Sequence, residues 1–367
     1  MSKTNFHSGA NPDKNNIPFE LAVRLEGFIN LGIPRHQLMH VINQASAKGK
    51  PGSEEWSRSI RSHADEFAKM AGDCEEDWLE ASFWYFLARF PHYFNDEMKS
   101  AYERHKECYL KSCSFSLYPM EKIAVEFKGQ TIDTYLHLPK VNNDSPLPLA
   151  IIWGGIDIWK SDIQIHQIGR LLLEKGIAVL AIDSPGTGDC SIPISSSAEN
   201  WFFAVLHEIR KRPNMNYNKI ACYGLSFGGY WATKLAIQLP WLAGSINIGG
   251  PVHATFDAEH LKQLPHLTRD ALAYSCRIEP NEQRFLSLCS DLSLINQGLL
   301  PALSNAPLLL INGAKDNLVK ITEIDCVNAH CTNTDTLIFS QDRHAASQNW
   351  HLHSQFSTDW LEKKLNV

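Results

Sequence analysis

Apolar residues recur at helical spacing through the first third of the chain. In the segment 19–33, Leu25 and Phe28 fall on the same side of a helix. The same spacing predicts three further helices, over residues 53–73, 75–94 and 96–113. Ser53 is placed to cap the second helix, and Pro91 interrupts the third. We therefore predict a helical N-terminal domain over residues 17–120, after a disordered polar tail at residues 1–16.

The hydrophobic period changes after residue 120. Two short alternating runs flank Lys128-Gly129, which predicts a β-hairpin. Six nearly continuous apolar runs follow, separated by helical segments, and this order is typical of a parallel sheet with helices on both faces. We predict an α/β domain over residues 121–367. The alternation is broken at about 251–305, where we expect a helical insert that forms a lid over the C-terminal strand ends.

Composition and charge narrow the function classes. The chain is 44% hydrophobic and 20% charged, with a net charge of −6, which gives no sign of nucleic-acid or anionic-membrane binding. No apolar run reaches the ~18 residues of a membrane span, and the N-terminus lacks the apolar stretch of a signal peptide. The nine cysteines show no common zinc-site spacing. We expect a cytoplasmic protein with reduced thiols, no metal and no cofactor.

A serine between glycines lies where an apolar run passes into a helical one. Gly224-Leu225-Ser226-Phe227-Gly228 has the G-x-S-x-G pattern. This pattern suits a sharp strand-to-helix turn that raises the serine hydroxyl above the sheet, where a substrate can reach it. Glycines beside the serine remove Cβ atoms that would collide in such a turn. The pattern alone is weak, because it also occurs by chance.

Two further polar residues follow later strands in an informative order. Asp316 comes just after the run 306–313, and His344 just after the run 335–340. Because ligands of parallel sheets bind at the C-terminal strand ends, Ser226, Asp316 and His344 are expected to meet there. Histidine can take the serine proton during attack, and a buried carboxylate orients the imidazole. We therefore predict a Ser-His-Asp catalytic triad.

The tetrahedral intermediate of acyl transfer also needs amide donors for its oxyanion. One expected donor is the amide of Phe227, which opens the helix after the serine. The second should come from the loop after the first buried strand, where the sequence reads "WGGIDIW". Gly155 or Ile156 is our candidate, because a glycine lets the backbone approach the reacting centre.

Other residues compete for each role. Asp316 could instead cap the following helix, and Asp183 or Asp189 could supply the acid. Asp342 is interpreted as a solvated loop acid. The histidines that compete with His344 lie within or near the end of predicted helices, and they are His330, His351 and His353.

With these residues assembled, the chain from about 121 to 365 resembles α/β-hydrolases of the FrsA-like esterase group. The resemblance depends on "GGIDIWKSD", "GIAVLAIDSPGTGD", "YGLSFGGYWATKLA" and "GGPVHATF", in that order. The helical front section is similar to that of 2,6-dihydroxypseudooxynicotine hydrolase and of fungal polyketide-shortening hydrolases. The resemblance implies an α/β-hydrolase fold, a triad at Ser226, Asp316 and His344, and N-terminal helices that help to enclose the substrate.

Two substrate contacts are also predicted. The resemblance implies an acidic contact downstream of the nucleophile strand, which would correspond to Asp257. The aromatic residues of segment 78–94, Trp84 among them, could line an apolar pocket together with the insert, or could simply be core. We take Asp257 and Trp84 as candidate substrate-binding residues.

The function expected from these features is that of a serine hydrolase. It would cleave an acyl bond of a small organic molecule, either an ester or a carbon–carbon bond next to a ketone, through an acyl-enzyme. An acyltransferase remains open, and so does a non-catalytic binding or regulatory protein on a hydrolase fold. A homodimer is possible, but the sequence does not decide it.

Overall fold

The N-terminal section is helical, as the spacing of apolar residues predicts. The computed structural model describes residues 21, 24–140, 145–278 and 282–366, so the predicted tail lies outside the described residues. The first helices are α1 (Leu25–Asn30), α2 (Arg35–Ser46), α3 (Glu54–Met70), α4 (Glu75–Arg89) and α5 (Asp96–Cys113). Ser53 caps α3 by accepting a hydrogen bond from the Trp56 amide at 3.3 Å. The helix α4 ends before Pro91, and its last nine residues, 81–89, are all buried.

An eight-stranded sheet follows. Its strands are β1 (Met120–Phe127), β2 (Gln130–His137), β3 (Leu147–Trp153), β4 (Ala178–Ala181), β5 (Met215–Leu225), β6 (Gly244–Ile248), β7 (Leu308–Gly313) and β8 (Thr334–Phe339). The order is β1-β2-β4-β3-β5-β6-β7-β8. The pairs β1/β2 and β2/β4 are antiparallel, and the others are parallel. The predicted hairpin turns at Lys128 and Gly129, which both have positive φ.

Helices cover both faces of the sheet, so the predicted α/β class is confirmed. They are α6 (Ile163–Glu174), α7 (Asn200–Ile209), α8 (Phe227–Gln238), α9 (Ala258–Gln263), α10 (His266–Ser275), α11 (Glu282–Leu292), α12 (Thr322–His330) and α13 (Trp350–Leu365). Neighbouring strand residues point to opposite faces. Ile151 belongs to the core that includes α7, α8 and apolar residues of the insert. Ile152 belongs to the core that includes α6, α13 and the N-terminal helices.

The N-terminal helices therefore share one hydrophobic core with the sheet. Phe28, Trp84 and Phe86 pack in the same buried cluster as Ile152 and Tyr223 of the central strands. Burial of this apolar surface at about 25 cal/mol per Å² is the main force that holds the helices on the sheet. The insert helices α9, α10 and α11 lie between β6 and β7 and contribute apolar residues to the opposite face.

Four buried or nearly buried histidines should make the fold sensitive to mild acid. Burial lowers the pKa of His137 to about 4 and the pKa values of His92, His166 and His353 to about 3. The unfolded chain, with pKa values of ~6.5, then binds more protons below pH 6.5, so stability falls as the pH falls. We expect the free energy of unfolding to drop by about 3 kcal/mol between pH 7.5 and 6.0. Urea unfolding at the two pH values measures this, and an unchanged midpoint would contradict it.

Candidate active site

Ser226 occupies a strained turn between β5 and α8. Its φ of 53° and ψ of −129° are rare for a residue with a side chain. The neighbouring glycines are required by close backbone contacts. A Cβ on Gly224 would lie 2.2 Å from the carbonyl oxygen of Gly228, and a Cβ on Gly228 would lie 2.5 Å from the carbonyl oxygen of Gly154. The turn therefore needs the G-x-S-x-G pattern for steric reasons.

The structure brings Ser226, His344 and Asp316 together in one hydrogen-bonded chain. The distance from Ser226 Oγ to His344 Nε2 is 2.8 Å, and that from His344 Nδ1 to Asp316 Oδ2 is 2.7 Å. The Asp316 side chain is fully buried, whereas the His344 side chain is 24% exposed. In the tautomer that fits these contacts, the serine hydroxyl donates to Nε2 and the Nδ1–H donates to the carboxylate. This arrangement can move a proton off the serine during attack.

Asp316 is held as a carboxylate by its surroundings. Burial opposes its ionisation, but the charge and hydrogen bond of His344 and further hydrogen bonds outweigh it, so the pKa of Asp316 lies below its usual value. Its Oδ1 accepts from the amides of Leu318 at 2.8 Å and Val319 at 3.1 Å. Asp316 therefore also caps the turn after β7, and the two predicted roles are compatible in one side chain.

Two residues outside the predicted triad hold the loop that carries His344 in place. The side-chain nitrogen of Asn312 donates to Asp316 at 2.9 Å, and its oxygen accepts from the Ala345 amide at 3.0 Å. Asp342 was interpreted as a solvated loop acid, and this is wrong. It is fully buried, and its carboxylate accepts from the amides of Arg343, Gln348 and Asn349. The carboxylate replaces backbone partners that the tight loop around His344 lacks.

The acids and bases that competed with Asp316 and His344 lie outside the triad. Asp183 and Asp189 each accept a hydrogen bond from the Lys160 ammonium at 2.5 Å. Burial opposes ionisation of Asp189, but the Lys160 charge dominates and lowers its pKa to about 2. His330 is hydrogen bonded to the carbonyl oxygen of Cys326 at 2.7 Å. Neither ring nitrogen of His353 has a partner among the described residues, and His351 is exposed on α13.

The loop after β3 lies against the nucleophile. A Cβ on Gly155 would be 2.8 Å from Ser226 Cβ and 3.1 Å from the Phe227 amide nitrogen, so only glycine fits without displacement. Phe227 is the first residue of α8, and its amide therefore has no acceptor within the helix. Ile156 is buried in the same loop. The predicted oxyanion residues are thus neighbours of Ser226, and their catalytic role stays a prediction.

A cavity of about 470 Å³ opens at the triad. Its buried end is aromatic and is formed by Phe28, Phe86, Phe90 and Trp350. Its open rim includes the exposed residues Lys315, Asn317 and Arg343. Gln263 and Pro265 of the insert also line the cavity.

The two predicted substrate contacts do not line this cavity. Trp84 is fully buried in the core, where its ring packs against His63, Phe67 and Phe83. The helix α4 instead contributes Phe86 to the cavity, two residues further on. Asp257 is exposed and caps α9 through a hydrogen bond from the Glu259 amide at 2.9 Å. Neither residue lies where a molecule bound in this cavity would contact it, which corrects the prediction that Trp84 and Asp257 bind the substrate.

A buried ionic cluster connects the N-terminal helices to the loop after β3. Arg89 at the end of α4 pairs with Asp162, and both side chains are fully buried. The same guanidinium donates to the carbonyl oxygen of Asp157 at 3.0 Å, while Arg24 pairs with the Asp157 carboxylate at 3.0 Å. The loop that carries Gly155 is thus held from two N-terminal positions. No motif in the sequence indicated this connection.

The described residues offer neither a metal site nor a membrane span. Within them, no group of three or more His, Cys, Asp or Glu side chains is arranged to hold a metal ion. Among the described helices, none combines the length and apolar content needed to cross a bilayer.

Comparison with known proteins assigns the family. The family model described as "Esterase FrsA-like" matches residues 51–366. The chain belongs to the FrsA-like esterase family. Esterase FrsA of Vibrio cholerae serotype O1 is 26% identical over 326 residues, which cover 85% of this chain and 75% of that protein. Esterase FrsA of Yersinia pestis is 24% identical over 301 residues, 80% of this chain and 71% of that protein. The predicted resemblance is confirmed, and the FrsA-like chain is an α/β-hydrolase enzyme of esterase type.

Solved structures share the fold across nearly the whole FrsA-like chain. The crystal structure of 2,6-dihydroxy-pseudo-oxynicotine hydrolase has a TM-score of 0.76 at 21% identity and covers 93% of this chain and 95% of its own. AbyA5 has a TM-score of 0.76 at 18% identity, with coverage of 94% and 99%. Est1E from Butyrivibrio proteoclasticus covers only 67% of this chain, with a TM-score of 0.52 at 16% identity. The first two likenesses extend beyond the sheet to the N-terminal helices.

Proposed function

We propose that this FrsA-like chain is a serine hydrolase that cleaves an ester of a small organic molecule through an acyl-enzyme. The observation that carries the proposal is the hydrogen-bonded chain from Ser226 through His344 to Asp316 at the mouth of the cavity. A serine hydroxyl is a poor nucleophile by itself, and a histidine at 2.8 Å can take its proton as it attacks.

The proposed reaction has two halves. Ser226 Oγ attacks the acyl carbon while His344 takes its proton and then returns it to the leaving alcohol. Water, deprotonated by the same imidazole, then attacks the acyl-enzyme and releases the acid and free Ser226. The amides of Phe227 and of Gly155 or Ile156 stabilise the oxyanion, and each donor contributes roughly 3 kcal/mol. Water can reach the acyl-enzyme, because Ser226 is half-buried and His344 is partly exposed; this favours hydrolysis over acyl transfer.

Cleavage of a carbon–carbon bond next to a ketone is a second use of the same residues. The structural neighbour at a TM-score of 0.76 is named a 2,6-dihydroxy-pseudo-oxynicotine hydrolase, and that likeness supports the fold alone. In this reaction His344 would protonate a carbanion instead of an alkoxide. Product analysis with paired ester and ketone substrates distinguishes the two uses.

A fluorophosphonate probe tests the proposal directly. We expect the probe to label the folded protein at Ser226, because a fluorophosphonate phosphonylates an activated serine with loss of fluoride, and we expect the Ser226→Ala variant to lose the label. Peptide mass spectrometry identifies the modified residue. Ser287→Ala on the exposed side of α11 is the matched control and should retain full labelling. A folded protein that the probe does not label would favour a non-catalytic binding role.

A further inference from the structure

Two cationic residues stand beside the triad at the open rim of the cavity. Lys315 directly precedes the triad carboxylate, and Arg343 directly precedes the triad histidine. Both are exposed, and both line the cavity. Among the described residues, no carboxylate pairs with either side chain, and the Lys315 ammonium donates only to the side-chain oxygen of Gln341. An amide oxygen does not neutralise an ammonium, so both charges are available to a bound molecule.

The acidic residues near this rim already have partners. The Asp157 carboxylate pairs with Arg24 at 3.0 Å, and Asp316 pairs with His344 at 2.7 Å. Asp342 is fully buried, and its carboxylate accepts from backbone amides. Three cationic and two acidic residues line the cavity, so the formal charge of its lining is +1, although the whole chain carries −6. An electropositive mouth on an acidic protein attracts anions and raises their local concentration.

Contacts between two loops fix the backbone positions of these cations. The Lys315 amide donates to the carbonyl oxygen of Asp342 at 2.9 Å. A Cβ on Gly313 would lie 2.1 Å from the carbonyl oxygen of Arg343, so the two loops are in direct contact. The two cations therefore border the cavity mouth from adjacent loops. A carboxylate suits such a pair, because a guanidinium and an ammonium both donate charge-assisted hydrogen bonds to its oxygens.

We propose that the substrate is an anionic ester whose carboxylate is bound at the rim by Arg343 and Lys315. Its apolar part occupies the aromatic end of the cavity, and its ester carbonyl lies at Ser226. The reverse orientation is disfavoured, because a carboxylate in the aromatic end would lose its hydration without a free counter-charge. This inference rests on the proposed function for the ester bond. It adds the charge class of the substrate and assigns Arg343 and Lys315 as specificity-determining residues.

Two esters of similar size test the inference. Monobenzyl succinate carries a carboxylate, and benzyl levulinate has a neutral acetyl group in its place. We expect kcat/KM to favour the anionic ester by about tenfold at low salt, because the rim attracts the carboxylate and then pairs with it. Salt at about 1 M, where the Debye length is ~3 Å, should lower this ratio to within about threefold. A ratio near one at low salt overturns the inference.

Variants of the two cations locate the effect. Arg343→Gln and Lys315→Gln should each lower the ratio about threefold, since an exposed ion pair contributes modestly, and the double variant should bring it to within about twofold. Lys99→Gln removes the same charge from the exposed side of α5, outside the cavity lining, and should keep the full ratio. An unchanged ratio in the double variant, or equal losses for the two esters, overturns the inference. If the double variant does not fold, the single variants decide by the same ratio.

Binding to an inactive variant separates this inference from the proposed function. Calorimetry compares monobenzyl succinate with benzyl levulinate on Ser226→Ala and on Ser226→Ala with Arg343→Gln, where no turnover is needed. Tighter binding of the anion that Arg343→Gln weakens supports the inference even if neither ester is hydrolysed by the unmodified protein. That lack of hydrolysis would count against the proposed function alone. Equal affinity of Ser226→Ala for the two esters overturns the inference.

Discussion

Replacement of His344 with alanine is expected to lower kcat by at least about 10⁴-fold, with KM changed less than about threefold. The imidazole is the group within 2.8 Å of Ser226 Oγ that can take its proton, and without it the hydroxyl must attack unassisted. The side chain contributes little to the aromatic end of the cavity, so binding of the substrate should persist. Steady-state kinetics on an ester that the unmodified protein hydrolyses measures both constants.

Two companion variants show whether the effect belongs to the triad. His351→Ala removes an exposed histidine seven residues later, and we expect its kinetics to be unchanged. Asp316→Asn keeps the shape of the carboxyl group but removes its charge, and it should also cost roughly 10³- to 10⁴-fold in kcat because the imidazole loses its orienting partner. If His344→Ala retains normal turnover, the base must be another residue and the proposed mechanism is wrong.

The sheet was predictable from sequence because its signals are local. The run of apolar residues at 148–153 can be satisfied only where both faces are covered, and β3 is buried in this way. The hairpin was indicated by Lys128-Gly129, and both residues adopt the positive φ that such a turn requires. The helix Arg35–Ser46 was not singled out, although Leu38, Val41 and Ile42 have helical spacing. It is 12 residues long, which is shorter than each of the three helices that follow it.

The site divides into a predictable and an unpredictable part. Ser226, Asp316 and His344 each follow a strand, so their meeting could be inferred from the topology of parallel sheets. The cavity wall depends on how the N-terminal helices pack. The second half of α4, residues 81–89, is buried on all sides, so its sequence does not reveal that Phe86 faces the cavity while Trp84 faces the core. Such a choice is made by tertiary packing, which a single-sequence pattern does not contain.

Replacement of Arg89 with methionine is expected to lower the free energy of unfolding by about 4 kcal/mol, because it leaves the Asp162 carboxylate buried without its cation. The Arg89 guanidinium also packs 3.5 Å from the centre of the Trp159 ring, so packing is lost with the charge. Burial opposes ionisation of Asp162, but Arg89 and His105 together outweigh it and lower the pKa of this carboxyl. Urea unfolding with linear extrapolation measures the loss.

Two further variants serve as controls: one also removes the charge of Asp162, and the other breaks an exposed ion pair. In the double variant Arg89→Met with Asp162→Asn neither charge of this pair remains, so more than half of the lost stability should return; an equal loss would show that packing alone matters. Arg35 and Glu26 are 2.6 Å apart but about half exposed, and Arg35→Met should cost less than about 1 kcal/mol.

Since Arg89 also holds the Asp157 carbonyl oxygen at 3.0 Å, the single variant Arg89→Met should lower kcat as well, through the loop that carries Gly155. The N-terminal helices would then support catalysis by fixing this loop as well as by enclosing the cavity.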